Sequence, residues 1–501
     1  PLPVHDGAAL PRECDRRSLW PLGISGDRPL ILVEAGSPQG MGLLRILAQA
    51  LREWSRCGVS CDLVVLSSEV HSYQMPLQRE LTLLTEQQAG HSHLKGTVTG
   101  LHVLRPDALT PTQLATLEAL ARIQLQADGS PWVQQVRAWA QRQGTLAGYI
   151  DRSGRLEVVP TQALERRPTP SVGAFDTASG DFGFEVGVGL RPRRPWTNVL
   201  ANAGFGTMVS ESGAGHSWAI NSRMNQLTPW SNDTVADTPS QWFLLQDRRT
   251  REVWSVAPSA WGASDTVYRV VHGQGHTTIE HERGGLSVSV RWCVDPDTSV
   301  QQVRIRLSNR GPGKAHLRAV GMVEWMMGEK RSNRATLHTE PAPAGMVADD
   351  LMGLMCTQTD AAGGLGGGTA FLAEAQVGAQ DSEGLDWTCD RREFFDPRGQ
   401  FVLPEHLGRR SGFGLDPCAA LSRPITLRPG ASLEQVFLIG YAESPGAARA
   451  LAQRAIGTAP VAREKAVRAR WDTLLGTSEV HTPDPLFDVI VNRWLLYQTV
   501  S

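Results

Sequence analysis

No run of apolar residues in this chain reaches the roughly 18–20 that a membrane helix needs, and its opening lacks the pattern of a signal peptide. A charge excess is missing too. Lys plus Arg (49) nearly cancels Asp plus Glu (51), leaving a formal net charge of -2. That balance removes the electrostatic reason to expect a nucleic-acid backbone or an anionic membrane surface as the main partner. Cysteine is sparse: seven residues at 14, 57, 61, 293, 356, 389 and 418. Their odd number and scattered spacing argue against a disulfide framework and fit a reducing compartment. Cys57 and Cys61 lack a second pair or nearby histidines at zinc spacing, so both read as packing residues. Tyrosine is scarce, and what stands in its place is tryptophan: 15 Trp against 5 Tyr and 12 Phe. Indoles stack on the C–H faces of sugars, and they also fill large β-cores.

With 501 residues, 41% of them hydrophobic, the chain has material for about three domains. Its periodicity divides it. Leu30–Val33, Asp62–Leu66 and Leu101–Leu104 are short apolar runs with the look of buried strands. Between and after them, Gly42–Cys57, Pro76–Gln88 and Pro111–Gln126 carry helical patterns, the last with Thr110 as N-cap. Such alternation predicts a parallel sheet covered by helices. The loop Glu34–Gly40 has neither the dinucleotide fingerprint nor a phosphate-loop lysine, and reads as a tight strand-to-helix connection.

A polar, proline-marked stretch at Val159–Pro170 predicts a boundary, and from there to about 440 the pattern is all-β. Val303, Ile305 and Leu307 alternate with Arg304, Arg306 and Ser308, giving one buried and one wet face per strand. Several such runs predict two large antiparallel sheets packed face to face. The Gly-rich run Ala361–Gly368 reads as a flexible loop, and His272, His276 and His281 as hairpin surface residues. After Gly446 the pattern turns helical, at Ala447–Ile456, Ala462–Leu475 and Leu486–Val500. Because the chain starts at Pro1 and stops at Ser501 inside an apparent helix, both ends are expected to be cuts in a longer polypeptide.

Catalytic motifs are absent: no Gly-x-Ser-x-Gly elbow, His-Glu-x-x-His or paired Cys-x-x-Cys occurs. The densest chemistry lies between Pro195 and Asp233, where Trp196, Trp218 and Trp230 stand among Asn, Ser, Gly and Arg. Amides and guanidinium groups supply the directional hydrogen bonds that sugar hydroxyls need. A loop-rich stretch of sandwich with tryptophan in its core fits the same residues.

This segment resembles the opening of the N-terminal sandwich of glycoside hydrolase family 94, the inverting phosphorylases of β-glucosides. Glu324-Trp325, Asn333-Arg334, Arg391–Phe395, Gly408–Leu421 and Leu427–Gly430 continue the likeness in order. Trp230-Ser-Asn-Asp233, Asp416-Pro-Cys418, Leu19-Trp20 and Gly23–Asp27 are most similar to the carboxy-terminal module of cyclic β-1,2-glucan synthases. The resemblance implies a multi-domain chain: an α/β unit, a large antiparallel β-sandwich (super-sandwich), linker helices and the first helix of an (α/α)6 barrel. The expected divisions are a polar leader at 1–28, an α/β domain at 29–158 and a linker at 159–170. The sandwich follows at 171–445, a helical linker at 446–481 and the start of the barrel at 482–501. In this family the general acid and the phosphate-binding groups belong to the barrel, so no catalytic residue carries over and the chain alone is expected to be inactive. Arg334 matches an arginine that reaches the acceptor subsite in cellobiose phosphorylases, where its fork would span two sugar hydroxyls. Arg223 and Trp230 lie in the segment that approaches the active-site mouth.

The implied partners are β-1,2-glucan or a β-glucoside oligosaccharide, the rest of the synthase chain and a second copy of this chain. Nucleic acid and metal are not expected, nor any cofactor, inorganic phosphate being a co-substrate of the full module. The implied location is the cytoplasmic face of the bacterial inner membrane, this segment itself being soluble. A non-catalytic module that holds glucan or braces a neighbouring barrel is the alternative.

Overall fold

The computed structural model describes residues 14–69, 75–89, 99–135, 154–155, 169–187, 189–233, 237–258, 266–343, 351–377, 384–396 and 401–501. Of the expected linker at 159–170, only Thr169 and Pro170 are among them.

The three apolar runs near the start form β1 (Leu30–Ala35), β2 (Asp62–Ser67) and β3 (Gly100–Leu104). Between them stand α1 (Met41–Arg56) and α2 (Pro76–Ala89), followed by α3 (Pro111–Leu120) and β4 (Ala121–Gln126). The strands make one parallel sheet in the order β3-β2-β1-β4. Helix α1 turns Met41, Leu43, Leu44, Ala48 and Leu51 onto that sheet, as its period dictates. Thr110 and Gln113 form a capping box at the start of α3. The loop Glu34–Gly40 is indeed tight: a Cβ on Gly40 would stand 2.0 Å from the Ala127 carbonyl oxygen.

One helix ends earlier than its pattern suggests. Residues 121–126 leave α3 and pair in parallel with the free edge of β1. Ladder hydrogen bonds along β1 and burial of Ala121 and Ala127 outweigh the local helical preference.

The sandwich strands, in chain order, are β5 (Ala174–Phe175), β6 (Phe182–Val186), β7 (Asn198–Ala201), β8 (Phe205–Ser210), β9 (Gly213–Ala219), β10 (Gln241–Asp247) and β11 (Val253–Ser255). Then come β12 (Tyr268–Gly273), β13 (His276–Arg283), β14 (Leu286–Val294), β15 (Val300–Asn309), β16 (Ala315–Glu324), β17 (Leu337–Pro343) and β18 (Leu351–Gln358). The last four are β19 (Thr369–Val377), β20 (Asp386–Asp390), β21 (Pro417–Leu427) and β22 (Ser432–Ala442). Ten of them form a sheet in the order β17-β18-β19-β22-β15-β14-β13-β12-β6-β5, and five form a second in the order β11-β10-β16-β21-β20. Between the two lies the main core, with Phe243, Trp292, Trp325 and Phe437. Val303, Ile305 and Leu307 face it while Arg306 faces water, as the alternation requires. The outer face of the five-stranded sheet holds a second core of Trp242, Leu244, Val320, Met322, Cys418 and Ala420, covered by Phe394, Leu403 and Leu407.

His272 and His281 are buried, not on a hairpin surface. They share the inward parity of Tyr268, Val270 and Ile279 on the paired strands β12 and β13. His272 bonds with Thr277 Oγ1 and the Trp196 carbonyl, and burial holds its pKa down to about 4. His276, at the turn, is largely covered as well, with its pKa held down to about 3 by burial. Of the cysteine pair, Cys61 is buried but Cys57 is exposed at the end of α1. All seven cysteines are free thiols.

Helices α4 (Pro445–Gly457) and α5 (Pro460–Leu475) pack on the outer face of the ten-stranded sheet. Arg463 fastens α5: its guanidinium donates to Asp295 (3.0 Å), Gln302 (2.6 Å) and the Ala455 carbonyl (3.0 Å). Gly275 (φ +78) turns the β12–β13 hairpin beneath Trp471, leaving no room for a Cβ. The final segment is helical from Pro485 to Val500, with a π-turn at Ile490–Leu495. Trp494 and Tyr497 anchor it by donating to the carbonyls of Gly180 (2.7 Å) and Val199 (2.5 Å). Among the described residues no helix is long and apolar enough to cross a membrane.

Candidate functional site

The α/β unit and the sandwich meet on the segment 327–336. Met327 has positive φ (+46), which turns the chain out of β16 into the 3-10 turn Arg331–Thr336. Ala335 in that turn shares a core with Leu19, Ile24, Leu117, Leu120 and Ala121 of the α/β unit. Hydrogen bonds tie the same junction from the side. Cys14 N donates to the Thr359 carbonyl (3.1 Å), and Ala361 N to the Cys14 carbonyl (3.0 Å). Arg16 pairs with the buried Asp360, and Lys330 Nζ reaches Asp27 (3.0 Å). The Gly-rich run from Ala361 is therefore a docking turn: Gly364 (φ +74) and Gly367 (φ +85) fold it under the α/β unit.

Arg334 lies at the centre of this junction, its side chain 10% exposed. Both terminal nitrogens are engaged, Nη1 with Glu324 (3.1 Å) and Nη2 with Asp416. Its Nε has no hydrogen-bond partner among the described residues. Arg331 shares Glu324 (3.0 Å) and Arg391 shares Asp416 (3.0 Å). Arg122 of β4 lies near enough to Arg334 for that charge to lower its pKa, after burial, while Asp416 raises it. The four guanidinium groups face two carboxylates, so the junction keeps a positive excess.

Arg223 is 82% exposed on the loop after β9, with Glu329 Oε1 3.8 Å away. Gln226 exchanges backbone hydrogen bonds with Gly328 (3.2 and 3.1 Å), which sets the Arg223 loop against the 327–336 segment. Trp230 is 49% exposed and stacks on His216 at 5.4 Å, which in turn tilts against Trp218. The structure thus brings Arg223 and the Arg334 turn to one rim, whereas Trp230 rests on the β9 side with its outer face open.

A pocket of about 250 Å³ opens in this rim, lined by Trp20, Arg16, Met224, Lys330 and Asn333 among others. Trp20, 60% exposed, is its aromatic wall, and it comes from the α/β unit. Residues from sequence positions hundreds apart therefore make one concave surface with an open indole and several polar groups. Trp20 stands in the Ser18–Asp27 segment that marked the resemblance, but nothing local distinguishes its exposed indole from a core tryptophan. Glu324 and Asp416, which orient Arg334, stand in segments that carried the resemblance, but nothing in the sequence pairs either of them with Arg334. Among the described residues no group of His, Cys, Asp and Glu could hold a metal ion.

Comparison with known proteins agrees with this architecture. The chain is 27% identical over 515 aligned positions to the cyclic beta-(1,2)-glucan synthase NdvB of Rhizobium meliloti (strain 1021), covering 97% of this chain and 17% of that protein. It is 22% identical to the N,N'-diacetylchitobiose phosphorylase of Vibrio furnissii (61% of this chain, 38% of that one). With the 3-O-beta-D-glucopyranosyl-beta-D-glucuronide phosphorylase of Paenibacillus borealis it shares 23% (62% and 39%). The chain thus spans well under half the length of each of these relatives. Residues 185–457 match the model of the glycosyl hydrolase 94 supersandwich domain. The chain belongs to glycosyl hydrolase family 94.

Proposed function

We propose that this chain is the sugar-contacting part of a larger enzyme that acts on β-1,2-glucan by phosphorolysis, with inorganic phosphate as co-substrate of the whole enzyme. The observation that carries this reading is the similarity to a cyclic beta-(1,2)-glucan synthase over 97% of the chain, α/β unit included. The rim supports it physically. Trp20 offers an open indole face for sugar C–H surfaces with Lys330 and Asn333 beside it in the pocket, Arg223 is exposed on the same rim, and Trp230 offers a second open face on the β9 side. Arg334 is the proposed acceptor-side residue; with its fork held by Glu324 and Asp416, its part on this reading is to fix the turn that carries Lys330 and Asn333 into the pocket. The general acid and phosphate ligands belong, on this reading, to an (α/α)6 barrel that begins at 482–501, in a synthase anchored at the cytoplasmic face of the inner membrane. This chain alone then binds glucan without turning it over.

A second reading, a brace for a neighbouring barrel or a second copy of the chain, is favoured by one feature. Leu486, Phe487, Leu495, Leu496 and Val500 of the final helical segment are each exposed, apolar surface of the kind that another helix layer covers.

Calorimetric titration with linear β-1,2-glucooligosaccharides separates the two. Saturable binding that weakens in Arg334→Lys supports a sugar site. Absence of heat from the folded protein leaves only the brace. Release of glucose 1-phosphate from glucan and phosphate by these 501 residues would overturn the placement of the chemistry elsewhere.

A further inference from the structure

A cavity of about 390 Å³ lies on the outer face of the five-stranded sheet and shares no lining residue with the rim. Along β10, β16 and β21 the outward row begins as the apolar patch of Trp242, Leu244, Val320, Met322, Cys418 and Ala420. It then changes character to Gln246, Arg318 and Ser422, and there the covering segment that seals the apolar patch gives way to open space. Sheet positions so deep are usually apolar, so a buried arginine in this row calls for a reason.

Arg318 is 6% exposed. Its Nε donates to Ser422 Oγ (2.5 Å) and its Nη1 to the Pro404 carbonyl (2.5 Å). Neither partner is an anion. The remaining nitrogen, Nη2, is buried without a hydrogen-bond partner among the described residues, and Asp386 Oδ2 is 3.9 Å away. Asp386 is itself occupied, accepting from Leu407 N (2.7 Å) and Trp387 N (3.1 Å). Burial pushes the Arg318 pKa down to about 10, which still leaves it a cation at neutral pH. Around the mouth stand Arg248, Arg251 and Arg409, and among the described residues the carboxylates lining the cavity are Asp386 and Glu405. Glu405 is paired with Arg251 (3.1 Å). Arg251 (φ +65) and Arg409 (φ +49) both hold the left-handed backbone that non-glycine residues rarely adopt.

A desolvated guanidinium with one donor unmet, under a mouth of further guanidinium groups, is the chemistry that recognises an oxyanion. Among the described residues the only ring in the lining is the small imidazole of His406, and no Phe, Tyr or Trp offers the broad stacking surface a neutral sugar would want. We propose that this cavity binds a phosphate group, either as the free ion or on a phosphorylated sugar, with Arg318 at its floor and Arg248, Arg251 and Arg409 at its mouth. The volume falls within the range of small-molecule pockets and exceeds what a bare phosphate fills, leaving room for a hexose behind the anion. The proposal stands on residues of this chain alone and does not depend on the glucan reading.

The test is calorimetric titration of the 501-residue chain with inorganic phosphate and with glucose 6-phosphate at low salt. One saturable site is expected, weakening as ionic strength rises. Arg318→Gln, which removes the charge and keeps one donor, is expected to weaken it at least about tenfold. Arg409→Asn, on an exposed loop and tolerant of positive φ, is expected to weaken it by about threefold or more without disturbing the sheet. Tighter binding of glucose 6-phosphate than of phosphate identifies a phosphorylated sugar as occupant, and equal affinity identifies the free ion. No saturable binding by the wild-type chain, or binding that both variants leave unchanged, overturns the proposal.

Discussion

Glu211 offers a sharp test of how the sandwich is put together. It sits at the β8–β9 turn, 4% exposed, accepting a hydrogen bond from Trp196 N (3.0 Å). Burial, with the nearby charge of Asp237 adding to it, pushes its pKa from 4.5 up to about 7, against the hydrogen bonds from its own backbone and from Trp196. An acid whose folded pKa is raised keeps its proton in the folded chain across that interval and loses it in the unfolded one. Stability from this group therefore falls as pH rises from about 4.5 to about 7, and the full cost is present above that. At about 1.4 kcal/mol per pH unit the cost is on the order of 3 kcal/mol. Glu211→Gln keeps the shape and the acceptor for Trp196 N but cannot ionise. The variant should be the more stable protein at pH 8, by up to about that amount, and the advantage should vanish near pH 4. His272, His276 and His281, held by burial to about 4, 3 and 3, destabilise both proteins as pH falls below 6.5. They cancel in the difference. Urea unfolding of the two proteins by tryptophan fluorescence, at intervals from pH 4 to pH 8, gives that difference directly. A flat difference across the window, or a less stable variant at pH 8, refutes the reasoning.

Arg463→Ala leaves Asp295 and Gln302 without their buried donor and should cost about 3–5 kcal/mol, read as a lower urea midpoint. Gly275→Ala puts a Cβ 2.4 Å from the Trp471 ring at positive φ, so the melting temperature should fall and hydrogen exchange in α5 should rise. Asp360→Ala removes the acceptor of Arg16 and of the Ala362 amide. It should unhook the α/β unit, seen as faster proteolysis of residues 14–69 while the sandwich stays protected.

Much of this fold could be read from periodicity. The alternation of Arg304, Arg306 and Ser308 against Val303, Ile305 and Leu307 predicts both faces of β15 correctly, because a strand between two partners has one core and one wet side. The stripe at Leu43, Leu44, Leu47 and Leu51 places α1 on its sheet for the same kind of reason. Local pattern failed where a distant partner decided the outcome. Ala121–Gln126 continues the helical composition of α3, yet the open edge of β1 draws it into a strand. His272 and His281 lie beside glycine-rich turns, but their parity on β12 and β13 points them inward. At the site, the resemblance directed attention to Arg334, Arg223 and Trp230. It could not indicate that Asp416, 82 residues away in sequence, holds the Arg334 fork. Nor could it indicate that Trp20 and the Gly-rich turn at 361–368 assemble on the same rim, since that surface exists only once the α/β unit docks on the sandwich.

On the proposed function, the rim shared by the α/β unit and the sandwich grips a β-1,2-linked glucan together with the open Trp230 face on the β9 side. Titration of one linear β-1,2-glucooligosaccharide into the wild-type chain, Trp20→Ala and Trp230→Ala measures it most directly. Trp20 is 60% and Trp230 49% exposed, and neither belongs to a buried core, so both variants should fold as the parent does. Saturable binding by the wild type is expected, with a loss of about fivefold or more in each variant, the worth of one stacked ring. Binding that is absent from the folded wild type, or equal in all three proteins, would contradict it.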